Sequence, residues 1–253
     1  MKKVVLITAL SIFTLFGADS TQFSMSAADK AMYEEMLENN PADIFVDEGS
    51  EFFDDLIGEK DFASFLGVDE KELPKYIAGF PRYVKKLDMV AGLDQVMQAI
   101  LAQKGEKVLK LKSPEMFSML AYVKSLANDE KINLDVDADK HIKASYELGK
   151  KIYNTPRGGR GLACLSCHSK ATVGLALRTQ ILPNLGNVKA AATWPAYRMT
   201  KSSLRTLQRR FQGCMNNALQ AKIPIGSREM VALEVYVTSM AIDKEIAIPG
   251  LKR

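Results

Sequence analysis

The sequence predicts an all-α fold built from two tandem copies of one helical unit. Three observations carry that expectation. Capped amphipathic segments follow one another along the chain, no convincing run of alternating strand residues appears, and a set of residues recurs at one fixed spacing. The 253 residues suit one or two domains, and 47% apolar with 25% charged residues is ordinary globular usage. A disordered tail protein, a collagen and a multi-span membrane protein are thereby excluded. The formal charge of +4, from 34 Lys+Arg against 30 Asp+Glu, does not announce a nucleic-acid partner. Three cysteines exclude a disulfide scaffold.

Residues 1–18 read as a signal peptide. Lys2 and Lys3 form a basic start, and residues 4–18 are apolar apart from Thr8, Ser11 and Thr14. That run falls short of the roughly twenty residues a bilayer span needs. Phe16-Gly17-Ala18 offers a cleavage point, although Phe16 is larger than the residue usually found there. An uncleaved anchor is the alternative. Either way the folded part lies outside the cytoplasm, which points to the periplasm, and no later stretch is long and apolar enough to span.

The helices are expected in order. Ser26 opens an amphipathic stretch with Met32, Tyr33 and Met36 on one face. Ser113-Pro114-Glu115 places a capping hydroxyl before a proline at the first helical position. Asp137 can start a helix that runs through Leu148 to Tyr153, and two further helices cover residues 204–219 and 228–242. Pro81, Tyr83, Leu93 and Gln98 recur as Pro195, Tyr197, Leu207 and Gln212. Tyr122, Val123, Ser125 and Ala127 recur as Tyr236, Val237, Ser239 and Ala241; every pair is 114 residues apart. The expected domains are residues 19–134 and 135–253, meeting in the segment 132–136, which lacks a helical pattern.

The chemical signal lies in the second half. Cys164-Leu165-Ser166-Cys167-His168 is a CxxCH, whose two thiols can add to the vinyl groups of one haem while the histidine meets the iron. Gly149 and Tyr153 precede it on one helix, and Leu233 and Tyr236 follow on a late one. Class I cytochromes c pack such pairs against each other. Zinc needs about four ligands, and only one other Cys and one other His exist. One covalent haem c is therefore expected, bound by Cys164 and Cys167, with His168 as proximal ligand. Subtracting 114 from the motif gives residues 50–54 of the first half, which cannot anchor a haem, so only the second domain is expected to carry one.

The far side of the iron has six candidates: Met199, Met215, Met230, Met240, His141 and Cys214. Cys214 replaces Ile100 of the first copy, so the thiol exists where the iron exists. A buried inert thiol is the plain alternative. Arg210 stands one helical turn before Cys214, where fixed positive charge favours a thiolate and a guanidinium can grip an oxyanion. Arg205 and Arg209 read more readily as a solvated basic face, while Lys222 is a weaker candidate for the same cleft.

The residues Cys164-Leu-Ser-Cys167-His168, Trp194-Pro195-Ala-Tyr197-Arg198, Arg209-Arg210-Phe211-Gln-Gly-Cys214, Ala232-Leu233-Glu234-Val-Tyr236 and Pro249-Gly250-Leu251 resemble the SoxA family, the larger cytochrome subunits of SoxAX complexes of thiosulfate oxidation. Phe80-Pro81-Arg82-Tyr83 extends the resemblance into the first half, and the missing first haem places it with the monohaem type. The resemblance implies a haem-dependent L-cysteine S-thiosulfotransferase, which joins thiosulfate oxidatively to a cysteine of a SoxYZ carrier and passes electrons to cytochrome c. It implies Cys214 as distal iron ligand and catalytic persulfide, Arg210 as the holder of the sulfonate, and a small SoxX cytochrome as partner. Two other classes stay open: a plain electron carrier with His/Met-ligated haem, and a haem-binding subunit that only docks a partner. Trp194 reads as packing before propionate binding. Arg157 and Arg160 divide equally between propionate or partner contact and a flexible basic loop.

Overall fold

Capping side chains at Ser113, Asp139, Thr206 and Ser227 set four helix starts in the computed structural model, which describes residues 27–177 and 180–252. The expected signal peptide lies outside the described residues. The chain begins with α1 (Ala27–Glu38), α2 (Asp43–Leu56), α3 (Glu59–Leu66) and α4 (Leu73–Ile77). A hairpin of β1 (Arg82–Val84) and β2 (Met89–Ala91) leads into α5 (Leu93–Lys104) and α6 (Pro114–Ser125). The Ser113 hydroxyl accepts the Met116 N–H at the start of α6, as its sequence predicts.

The second half repeats this plan. It contains α7 (Lys140–Asn154), α8 (Cys164–His168), the two-residue strands β3 (Ala176–Leu177) and β4 (Gln180–Ile181), β5 (Ala196–Arg198), β6 (Ser203–Arg205), α9 (Leu207–Asn217), α10 (Arg228–Ser239) and β7 (Gly250–Lys252). Asp139, not Asp137, caps α7, accepting the N–H groups of His141 and Ile142. The helix expected from residue 204 begins at Leu207, because Leu204 is paired in β6 and Thr206 caps α9.

The chain is mostly helical, and it departs from the all-α expectation in three small sheets among the described residues: β1–β2, β3–β4 and β6–β5–β7. Strands of two or three residues are too short to write a period-two pattern into a sequence. The parallel pairing of β5 with β7 joins residues far apart in the chain, with Arg198 in register with Lys252.

The 114-residue offset holds for β1–β2 against β5–β6, and for α6 against α10. It fails for α2 against α7. A methyl group on Gly49 would strike the Ser118 carbonyl, and one on Gly149 would strike the Ala232 carbonyl. Phe53 meets the ring of Tyr122 at 5.4 Å, and Tyr153 meets Tyr236 at 5.1 Å. Gly49 with Phe53 thus answers to Gly149 with Tyr153 at an offset of 100. The counterpart of the CxxCH is therefore not residues 50–54, which belong to α2, but residues 64–68 at the end of α3 and just beyond. Those residues are Ser64, Phe65, Leu66, Gly67 and Val68, and none can tether a haem. The longer segment after α8 accounts for the changed offset.

One continuous apolar core runs through both halves. Phe62, Phe65, Met97 and Met116 fill it on one side, and Trp194, Met215, Met230 and Leu233 on the other. Each half's last helix touches the other half's hairpin, α6 against β6 and α10 against β2. The segment 132–136 is packed rather than loose: Ile132 and Leu134 are buried, and Ile132 exchanges backbone hydrogen bonds with Asp243 and Lys244.

Candidate haem and thiolate site

A single short helix sets two of the three cysteines. In α8, Cys164 and Cys167 are three apart on one turn, and both are half-buried and free. Ser166 steadies this turn by accepting the Ala163 N–H at 3.0 Å. His168 ends the helix, and its Nδ1 donates to the Pro183 carbonyl at 2.8 Å. That bond fixes the tautomer and leaves Nε2 with a free lone pair, the form a metal needs.

The loop after α7 ties α8 to α9. Gly158, at φ 74°, lies against the Leu219 carbonyl so closely that only glycine fits. Gly159 donates its N–H to the same carbonyl, Gln220 donates to the Leu162 carbonyl, and Arg160 donates to the Asn217 carbonyl at 3.3 Å. These bonds hold the end of α9 over α8, and so bring Cys214 beside His168.

Three neighbouring side chains act on the Cys214 sulfur. Burial pushes its thiol up, but Arg210, the hydrogen-bonded His168 ring and Arg198 outweigh burial and bring it down to about 7. The other two thiols move the opposite way. Burial, with the negative Cys214 nearby, pushes Cys164 up to about 11 and raises Cys167 as well. Two thiols pushed towards the protonated form and one drawn towards the thiolate thus share the site. Burial likewise raises the Tyr153 phenol, which stands beside Cys164 and Cys167.

The donors fit a covalently attached haem. Two thiols stand on one turn, a neutral imidazole and a soft sulfur face each other, and a tyrosine ring covers the thiols. Arg157 adds a second indication: its Nη2 is buried without a hydrogen-bond partner, and its charge acts on Cys164. A buried donor in that state calls for an acceptor, which a haem carboxylate supplies.

The sequence-predicted residues Cys164, Cys167, His168, Arg210 and Cys214 come together. The other candidates do not. His141 stacks on Tyr83, with ring centroids 4.3 Å apart, Met215 and Met230 are buried in the core, Met240 packs against it, and Met199 packs beside Tyr33 and Leu251. Trp194 is buried in the core, as its packing reading expects. Sequence reasoning gave no role to Arg198 or to Pro183. Val84, the counterpart of Arg198 at the 114-residue offset, was the available signal for the arginine.

Comparison with known proteins gives a consistent result. Residues 148–246 match the family model of the SoxA/TsdA cytochrome c domain. The chain is 30% identical over 276 residues to the L-cysteine S-thiosulfotransferase subunit SoxA of Hydrogenophilus thermoluteolus, covering all of both chains. It is 33% identical over 184 residues to the protein of that name from Allochromatium vinosum, covering 71% of this chain and 63% of the relative. A chain in the crystal structure of SoxXA from P. pantotrophus superposes with a TM-score of 0.72 at 24% identity, covering 85% of this chain and 79% of that one. The cytochrome c fold is thereby shown.

Proposed function

Because the chain belongs to the SoxA family, we propose that it is the cytochrome subunit of an L-cysteine S-thiosulfotransferase with one haem c, acting in the periplasm. The reading divides the exported chain into a haem-free cytochrome c-like domain, residues 19–134, and a haem-bearing one, residues 135–253. Its partners are a small SoxX-like cytochrome and a SoxYZ-like carrier. The structural match to a SoxXA chain supports the first partner, and among the described residues no helix is long and apolar enough to cross a membrane.

The observation that carries the reading is the convergence of Cys214, His168 and Arg210, with Met199, Met215, Met230 and Met240 all packed elsewhere. In the overall reaction a carrier thiol and thiosulfate give a carrier S–S–sulfonate, one proton and two electrons. A bound haem would supply one-electron redox chemistry, the means for electrons to pass on to cytochrome c. Cys164 and Cys167 would tether it, and His168, aligned by Pro183, and Cys214 would ligate its iron. As a persulfide, the Cys214 sulfur would exchange with thiosulfate, and the lowered pKa of the Cys214 thiol suits it as the leaving group of such an exchange. Arg210 holds the sulfonate and stabilises the anionic charge that develops there.

Mass spectrometry of the Cys214 peptide, on protein matured with haem, tests the reading. The expected result is a thiol carrying one extra sulfur, with a low-spin thiolate-type iron spectrum in the intact protein. An unmodified thiol together with a methionine-to-iron charge-transfer band would reduce the protein to an electron carrier.

A further inference from the structure

The two halves offer an internal control for the site. Hairpin β5–β6 and helix α9 recur as β1–β2 and α5, so each site residue has a counterpart in a unit with no CxxCH. At the 114-residue offset, Cys214 answers to Ile100, Arg210 to Val96 and Arg198 to Val84. The three counterparts are buried and apolar, 3%, 0% and 3% exposed. The framework itself therefore asks for an apolar side chain at all three places, and the second half puts a sulfur and two guanidinium groups there instead.

Arg198 is costly where it stands. It is 9% exposed at the end of β5. Strand alternation turns Ala196 and Arg198 to one side, while Tyr197 packs on the other against Phe45, Tyr33 and Leu251. Neither Arg198 nor Arg210 forms an ion pair with a carboxylate of the described residues. Buried cations are ordinarily paired. Here burial first, and Arg210 second, oppose the charge of Arg198, and Cys214 favours it. Two guanidinium groups without a carboxylate partner, one from a strand and one from a helix, thus both act by their charge on one sulfur.

The surrounding charge points the same way. Residues 135–253 carry 19 Lys and Arg against 8 Asp and Glu, whereas residues 19–134 carry 13 against 22. The half that holds the cysteines draws anions towards itself.

We propose that Arg198 is a second substrate-holding residue, which with Arg210 forms a two-arginine clamp on the sulfonate of thiosulfate above Cys214. The proposal rests on the thiosulfotransferase reading. A sulfonate presents three oxygens, enough to accept from two guanidinium forks at once. Gripped from the strand and from the helix, the anion can turn only its outer sulfur towards Cys214.

The test is steady-state thiosulfate turnover by haem-loaded protein with its small cytochrome and carrier, comparing wild type with Arg198→Met, Arg198→Lys, Arg210→Ala and Cys214→Ala. For Arg198→Met the KM for thiosulfate is expected to rise about 10- to 100-fold, the usual worth of a hydrogen bond to a charged group, with a smaller change in kcat. Arg198→Lys, which keeps the charge and loses the fork, should fall between. Inhibition by sulfate should weaken in parallel, and the haem spectrum should stay as in wild type. A wild-type KM in both Arg198 variants, beside a raised KM in Arg210→Ala, overturns the clamp and leaves the thiosulfotransferase reading intact. Thiosulfate turnover by Cys214→Ala at the wild-type rate overturns that reading instead. Should Arg198→Met fail to accumulate, Arg198→Lys decides alone, and a KM equal to wild type refutes the clamp.

Discussion

Gly149 lies face to face with the carbonyl of Ala232, so that α7 and α10 touch backbone to backbone. The contact sets how far Tyr153, one turn later, reaches over Cys164 and Cys167. Gly149→Ala must push the helices apart, and overpacking of this kind costs about 1–3 kcal/mol. A lower urea midpoint and a lower haem content are expected together. Gly49→Ala, at the matching contact with Ser118, should lower the midpoint and leave haem attachment unchanged, because α2 and α6 hold no thiol.

Cys214→Met exchanges a thiolate for a thioether at a half-buried site of similar volume. The expected protein keeps covalent haem and a low-spin spectrum, acquires the methionine-to-iron band, and loses thiosulfate turnover. Its reduction potential should rise, since a neutral sulfur stabilises the oxidised iron less than an anionic one does. Spectroelectrochemical titration beside wild type checks both the band and the direction.

Much of the site was legible because its chemistry is local. Cys164, Cys167 and His168 fall within five residues, and Arg210 stands one turn from Cys214. What escaped depends on long-range pairing. Arg198 acts on the sulfur from β5, a strand placed by pairing with β6 and β7, and three-residue strands leave no pattern to read. The Pro183 carbonyl is a backbone atom, which residue type does not announce. The repeat was visible wherever the spacing stays at 114. The extra residues after α8 carry the later elements to an offset of 114 while α2 and α7 stay at 100, and the twin contacts of Gly49 and Gly149 restore the register.

Arg157 is expected to act on the haem rather than on a partner. Its buried Nη2 lacks an acceptor within the chain, and a haem carboxylate would supply one. Arg157→Leu removes a positive charge near the iron, so the reduction potential should fall, with a smaller drop for Arg157→Lys. An unchanged potential in both variants would place the side chain away from the porphyrin.

The seam between the halves holds a polar cluster with its own pH dependence. Lys124 of α6 donates to the Ala191 carbonyl at 2.7 Å, and Gln208 of α9 donates to Glu234 of α10 at 2.6 Å. Buried Asp94 of α5 lines the same small cavity. Burial, with Glu234 adding to it, raises the Asp94 carboxyl to about 7. Burial also raises Glu234, although Lys124 and Gln208 oppose it. Between the ordinary carboxylate range and pH 7, folded Asp94 keeps a proton that the unfolded chain releases. Its contribution to stability therefore falls as pH rises through that window. Lys124 runs oppositely: burial lowers it to about 8, so stability is lost as pH falls from its ordinary range through 8. Asp94→Asn keeps the oxygen that accepts the Gln95 N–H and removes the titration. Urea midpoints at pH 5, 6, 7 and 8 should decline less steeply for Asp94→Asn than for wild type. Parallel curves would mean that Asp94 is ionised in the folded protein at every pH in that range, its charge balanced by Lys124.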